Sequence, residues 1–164
     1  MHVKERAHNP FIGSPSGGRV LSALMLPWFT IRPPRGFGVL STTGRRTGKT
    51  RRKCVRAIRR GDRVYLVAIG GPTAAWVKNL QANPQVRLRI RGETFEGAAR
   101  ELEAGVDLEE ATVAFCETIN PFDFTECRMH RPGRPSEEKI KALHHSWFAK
   151  GTPIVIELAS GDRL

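Results

Sequence analysis

Hydrophobic and polar positions alternate along this chain with two different periods, and the changes of period mark out its elements. Residues 85–91 give the clearest signal. Val86, Leu88 and Ile90 share one face while Arg87, Arg89 and Arg91 share the other, the period of a strand with one side buried. Val64 to Ile69 is instead a continuous apolar run, which predicts a strand covered on both faces. Further strands are predicted at 37–42, at about 51–59, at about 94–102 and at 153–158. Gly44 to Lys49 and Gly61-Asp62 supply turns between the first three, which therefore read as an antiparallel meander. Gly92-Glu93 joins the next pair.

Helical spacing takes over between the strands. Residues 74–82 suit about two turns, stopped by Asn83-Pro84. After Asp107, the residues Leu108, Ala111, Thr112, Phe115 and Ile119 recur at helical intervals, with acids in the first turn. Residues 137–148 predict another helix, and Asn120 to Pro135 reads as an irregular loop. At the start, residues 1–18 form a loose leader. Residues 19–28 predict a short helix with Val20, Leu21, Leu24 and Trp28 on one side, ending near Pro27. Arg32-Pro33-Pro34-Arg35-Gly36 then enforces an extended linker. About six strands with a few short helices predict an α+β, mainly β domain built as a small antiparallel barrel. The expected organisation is a leader over 1–35 and one domain over 36–164, as a length of 164 residues implies.

Composition adds one fact of weight. With 40% hydrophobic and 26% charged residues the chain is ordinary globular protein, which excludes wholesale disorder. Its net charge of +11 is not ordinary. Of the 27 basic residues, 12 lie between Arg32 and Arg63 with a single acid, Asp62, so this stretch holds the whole excess. Three cysteines without a C-x-x-C pair argue against a zinc site and for a reducing compartment. His144 and His145 point to different faces of their helix, so no metal is expected there either. The apolar stretch 20–31 is interrupted by Pro27 and is far shorter than a membrane span. A cytoplasmic protein is expected. The 20–29 segment after Arg19 permits weak interfacial contact with a membrane, although packing on the barrel is the simpler role.

The basic stretch contains Gly48-Lys49-Thr50, which resembles the end of a P-loop. Thr43 stands where that motif needs its first glycine, and residues 51–58 have no helical apolar stripe. A hairpin loop flanked by Arg45, Arg46, Lys49 and Arg51 remains. Backbone amides of Gly-rich turns form anion nests, and arginine adds bidentate contacts to phosphate or carboxylate. Two readings stand at this point: a solvated hairpin whose charges aid solubility, and a site for an anionic partner, whether a phosphorylated cofactor, a nucleic acid or an acidic lipid surface. Nucleic acid is disfavoured, because no aromatic residue lies between Gly38 and Arg63 to stack on bases.

Two blocks then carry a family resemblance. Val39-Leu40-Ser41-Thr42-Thr43-Gly44-Arg45-Arg46-Thr47-Gly48-Lys49-Thr50-Arg51 is similar to the signature of the deazaflavin-dependent nitroreductase family. Ala75-Trp76-Val77-Lys78-Asn79-Leu80-Gln81-Ala82-Asn83-Pro84-Gln85-Val86 resembles its W-x-x-N-L-x-A-N-P-x-V segment. The resemblance implies a split β-barrel oxidoreductase that binds coenzyme F-420, an 8-hydroxy-5-deazaflavin with a phosphate and an acidic tail. Flavin mononucleotide is the less suitable cofactor. The phosphate would fall to Arg45, Arg46 and Thr47, with Arg51 after the loop. The ring would lie against Val67, Ala68, Ile69, Gly70 and Gly71, with Trp76 and Asn79 from the second block. Trp76 also suits plain packing, and Asn79 could equally satisfy a neighbouring backbone group. This chain departs from the family at Ile69, where polar and cationic residues are usual, and in lacking a Tyr-rich C-terminal segment. The implied reaction is hydride transfer from reduced F-420 to a small conjugated acceptor: a quinone, an enone or a nitro compound. No catalytic acid or base is assigned, and oligomeric state is left open. The alternative from another class is a non-catalytic module binding a deazaflavin or an anionic lipid.

Overall fold

A computed structural model describes Leu24, Pro27, Trp28, Ile31 and residues 33–159. Seven strands form one antiparallel sheet: β1 (Phe37–Thr43), β2 (Thr50–Arg56), β3 (Ile58–Arg60), β4 (Arg63–Ala68), β5 (Gln85–Ile90), β6 (Glu93–Glu101) and β7 (Thr152–Leu158). Four helices accompany it: α1 (Ala75–Ala82), α2 (Val106–Glu117), α3 (Pro121–His130) and α4 (Glu137–Lys150). The strand order is β2-β1-β5-β6-β7-β4-β3. Only Ala57 separates the two edge strands, so a single bent segment supplies both edges and the sheet curls round to meet itself. The one strand expected at 51–59 is thus two pieces. At the bend the Ala57 amide leaves the ladder and donates to the Gly36 carbonyl at 2.8 Å.

Tight curling needs close backbone approach. A Cβ on Gly38 would stand 2.8 Å from the Arg89 carbonyl oxygen, and one on Gly97 would stand 2.5 Å from that of Glu157. Glycine is the only residue that fits where β1 crosses β5 and where β6 crosses β7.

The interior of the barrel holds Leu40, Leu66, Leu88, Phe95, Ile154 and Ile156, with Val77 and Leu80 of α1 packed among them. A second layer, with Ile58, Tyr65, Phe115, Phe148 and Val155, lies between the sheet and helices α2 and α4. Strand β4 serves both. Val64, Leu66 and Ala68 face inward while Tyr65 and Val67 face the helices, which is why its sequence reads as one apolar run. Ile69 falls outside the strand and is 55% exposed.

One expectation is corrected. The segment expected to be irregular between Asn120 and Pro135 contains helix α3. Asn120 caps it, its side chain accepting from the Phe122 amide at 2.8 Å while Asp123 accepts from the Asn120 amide at 2.8 Å. Pro121 sits in the first turn, where its missing N–H costs nothing. The helix escapes an apolar-periodicity search because its buried residues are Asp123 and Cys127. Of the leader helix expected at 19–28, Val20 and Leu21 lie outside the described residues. Leu24, Pro27, Trp28 and Ile31 are helical, which carries the helix past Pro27. Among the described residues no helix is long and apolar enough to cross a membrane.

Candidate functional site

The β1–β2 hairpin loop closes on its own hydrogen bonds. The Gly44 amide donates to the Lys49 carbonyl at 2.9 Å, and the Thr47 and Gly48 amides both donate to the Gly44 carbonyl, at 3.2 and 2.7 Å. The Lys49 amide reaches Thr47 Oγ1 at 3.4 Å. The Arg45 amide donates to Asn79 Oδ1 at 3.2 Å. From Gly44 to Lys49 the Arg46 N–H alone has no partner among the described residues. The sequence reading of an amide nest is therefore corrected, because the loop spends its donors on its own shape. Its capacity for an anion lies in the side chains. Arg45, Arg46, Lys49, Arg51 and Arg52 are exposed, and none has a carboxylate partner among the described residues.

Asn79 of α1 is buried and organises this loop. Its Oδ1 accepts from the Arg45 amide and from Arg45 Nη1 at 3.3 Å, while its Nδ2 donates to Thr42 Oγ1 at 3.3 Å. Arg45 Nη1 also donates to the Ala75 carbonyl at 3.4 Å. Of the two roles read for Asn79, contact with the cofactor or satisfaction of a backbone group, the bond from the Arg45 amide is of the second kind. Arg45 differs from Arg46 accordingly. Arg45 is tied to α1, and Arg46 makes no such contact among the described residues.

The second expected group sits where β4 runs into α1. Ala68 packs inward and Val67 packs against α2 and α4, so both side chains are committed to the core. Ile69 and Gly70 provide the accessible surface, while Gly71 is buried. Gly71 has φ +69, and a Cβ on either glycine would meet nothing within 4 Å. A short 3-10 turn, Gly71–Thr73, then leads into α1, whose Trp76 is half-buried against the barrel interior. Helix α1 is the element shared by both groups, since it starts from the glycine turn and grips the loop through Asn79.

Two features escaped sequence reasoning because the partners lie far apart in the chain. The first is the Arg45–Asn79 tether, 34 residues long. The second is a buried ion pair, Arg56–Asp123, spanning 67 residues. Arg56 also donates to the Thr118 carbonyl, and His144 lies 3.4 Å from the same Asp123 oxygen. Asp123 pays a burial cost, but the His144 hydrogen bond and the Arg56 charge hold its carboxyl below the usual range. Its ionised oxygen accepts only, so His144 Nε2 donates. Nearby Glu126 is pushed up to about 7, first by burial and then by the Asp123 charge. His144 is thus a structural residue. Among the described residues no group of three His, Cys, Asp or Glu side chains is placed to hold a metal. Arg87 of the strand face pairs with Glu96 at 2.9 Å.

Solved structures share this architecture. An F-420-H2 dependent reductase, FDR-A, is 22% identical, with a TM-score of 0.52 over 75% of this chain and 95% of that one. The heme storage protein of Vibrio cholerae is 14% identical, with a TM-score of 0.53 over 84% of this chain and 90% of that one. A conserved hypothetical protein of Mycobacterium tuberculosis is 17% identical, with a TM-score of 0.52 over 82% and 78% respectively. At these identities the likeness establishes the split-barrel fold. Function comes from the family model for F-420H(2)-dependent quinone reductase, which matches residues 32–120. That span runs from the linker through the basic hairpin, α1 and α2, so the chain belongs to the F-420H(2)-dependent quinone reductase family and is an oxidoreductase that uses coenzyme F-420.

Proposed function

We propose that this chain transfers a hydride from reduced coenzyme F-420 to a quinone. In this reading the anionic parts of the cofactor meet Arg45, Arg46, Thr47, Lys49 and Arg51, and its ring lies along Ile69, Gly70, Gly71 and Trp76. One observation carries it: a loop of exposed cations without carboxylate partners among the described residues, joined through α1 to a glycine turn with open space. The residues fit such a group. The cations suit phosphate and carboxylate, and the bare glycines leave room for a flat ring system. The deazaflavin, when bound, supplies the hydride chemistry. The protein binds, orients and shields. Loop cations fix the anionic end, Ile69 and Trp76 offer apolar surface that excludes water, and the tether through Asn79 keeps the two ends in register.

The quinone is the acceptor named by the family, and enones and nitro compounds are the competing classes. Single-turnover oxidation of the reduced cofactor, followed by its absorbance with menadione, an enone and a nitroimidazole in parallel, tests the reading. Fastest turnover with menadione is expected. Tighter binding of flavin mononucleotide than of F-420 in a parallel fluorescence titration would withdraw the cofactor placement.

An association with the membrane surface belongs to the same proposal, with the protein otherwise cytoplasmic and 1–35 serving as an appendage to the 36–164 unit. Leu24, Trp28 and Ile31 follow helical spacing and are 69%, 78% and 82% exposed. Arg32 and Arg35 adjoin them, the arrangement of an interfacial helix. Co-sedimentation with anionic vesicles that Trp28→Ala weakens is expected. Equal recovery with and without vesicles would remove this part.

A further inference from the structure

We propose that Asn79 is a positioning residue that aims the Arg45 guanidinium at the anionic end of the cofactor without spending its charge. The inference rests on the loop being the anion site, and it goes beyond that reading by assigning the acceptor that orients one of its cations. An exposed arginine loses rotamer entropy when it is fixed on a ligand. Here much of that ordering is already present. Nη1 is held by the Asn79 side chain and the Ala75 carbonyl at 3.3 and 3.4 Å, and the Arg45 amide is held by the same Asn79 oxygen at 3.2 Å. The contacts described use Nη1 alone, so Nη2 and Nε have no partner among the described residues.

The chemistry of residue 79 is specific. Both Arg45 groups are donors, so the oxygen of the Asn79 amide must face them and the nitrogen must face Thr42. Thr42 is buried and accepts from that nitrogen at 3.3 Å, which fixes the orientation of the amide. A neutral oxygen holds the guanidinium and leaves its full positive charge for phosphate. An aspartate in this place would offer the same oxygen geometry but would neutralise the cation it positions.

The test measures F-420 affinity by fluorescence, the KM for reduced F-420, kcat and melting temperature. The variants are Asn79→Asp, Thr42→Val, Thr42→Ser, Arg45→Ala and the double variant Arg45→Ala with Asn79→Asp. Asn79→Asp should raise Kd and KM roughly tenfold, the lower end for a hydrogen bond to a charged group, with kcat nearly unchanged. Thr42→Val should lose a few-fold in affinity and Thr42→Ser should restore it. In the Arg45→Ala background Asn79→Asp should add almost nothing, since the charge it neutralises is gone. Additive losses in that double variant, or an unchanged Kd in Asn79→Asp, would overturn the proposal. Should an Asn79 variant not fold, the two Thr42 variants decide alone. A wild-type chain that does not bind F-420 overturns the site reading itself. A chain that binds, and loses affinity on Arg45→Ala but not on Asn79→Asp, overturns only the positioning role.

Discussion

At the scale of single residues, the loop cations separate into those with work inside the fold and those without. Arg46 and Arg51 are exposed and unpaired among the described residues. Arg59, from the same basic stretch, lies over the Phe95 ring at 4.5 Å and donates to the Gly61 carbonyl at 2.8 Å. Arg46→Ala and Arg51→Ala should therefore each weaken F-420 binding by about 1.5–3 kcal/mol, and Arg59→Ala should change it little. Equal losses for all three, read by fluorescence titration, would mean diffuse attraction rather than a specific loop. Ile69 gives a second residue-scale prediction. It is exposed beside the glycine turn, so Ile69→Ser should alter stability by no more than about 0.5 kcal/mol. A hydroxyl there that reaches the cofactor should add about 0.5–1.5 kcal/mol of binding. A large fall in melting temperature would show that Ile69 packs the core instead. Loop residues were legible in the sequence because their chemistry is local: charge, glycine and threonine in one short run. Asn79 was legible as a residue of interest but not as a tether, because its partners Thr42 and Arg45 belong to another element.

Among the elements, legibility followed how each one buries its surface. Strand β5 alternates because one face is covered, and β4 is continuously apolar because both are. The bend between β2 and β3 left no mark in the pattern, since Ala57 and Ile58 are both buried and simply continue it. Helix α3 was missed because a buried acid, not an apolar stripe, docks it. That acid makes a prediction. Removing Asp123 leaves the Arg56 guanidinium buried and unpaired, so Asp123→Ala should destabilise the fold by about 3–5 kcal/mol in urea unfolding. Glu126 governs a separate pH window. Its folded pKa lies above the unfolded value, so the native state binds the extra proton, and stability falls as pH rises from about 4.5 to about 7. Asp123 acts in the opposite sense: its contribution is present above the unfolded value near 4 and is lost at lower pH, as pH falls through its depressed folded value. Glu126→Gln should flatten the melting-temperature profile between pH 5 and pH 7, in units of about the carboxylate's own titration. A profile of unchanged slope would show that Glu126 reaches water and titrates normally.

Across the whole molecule, most of the excess charge falls into two groups with different fates. The chain carries +11, all of it in the stretch from Arg32 to Arg63. The later part of that stretch is absorbed by the fold. Arg56 pairs with Asp123, Arg60 with Glu117 and Arg63 with Asp107, while Arg59 covers Phe95. The earlier part, Arg45 to Arg52, stays open to solvent around one hairpin. Charges held this close repel one another and do nothing for stability, so an anion is their natural complement. Screening follows directly, with a Debye length of roughly 10 Å at 0.1 M salt and about 3 Å at 1 M. F-420 binding should weaken steadily with added salt, mainly through a slower association rate, because steering by the loop is lost before the contacts themselves. Lys49→Glu with Arg52→Glu should flatten that dependence and leave the melting temperature unchanged or slightly higher, since like-charge repulsion is relieved. The same reversal at Arg60 and Arg63 should do the contrary. It should lower the melting temperature by breaking pairs with Glu117 and Asp107, and leave the salt slope of binding intact. Stopped-flow association between about 50 mM and 500 mM salt, beside thermal melts of the same variants, distinguishes the two sets. Identical salt slopes in both double variants would show that the whole field of the molecule, not this hairpin, draws the cofactor in.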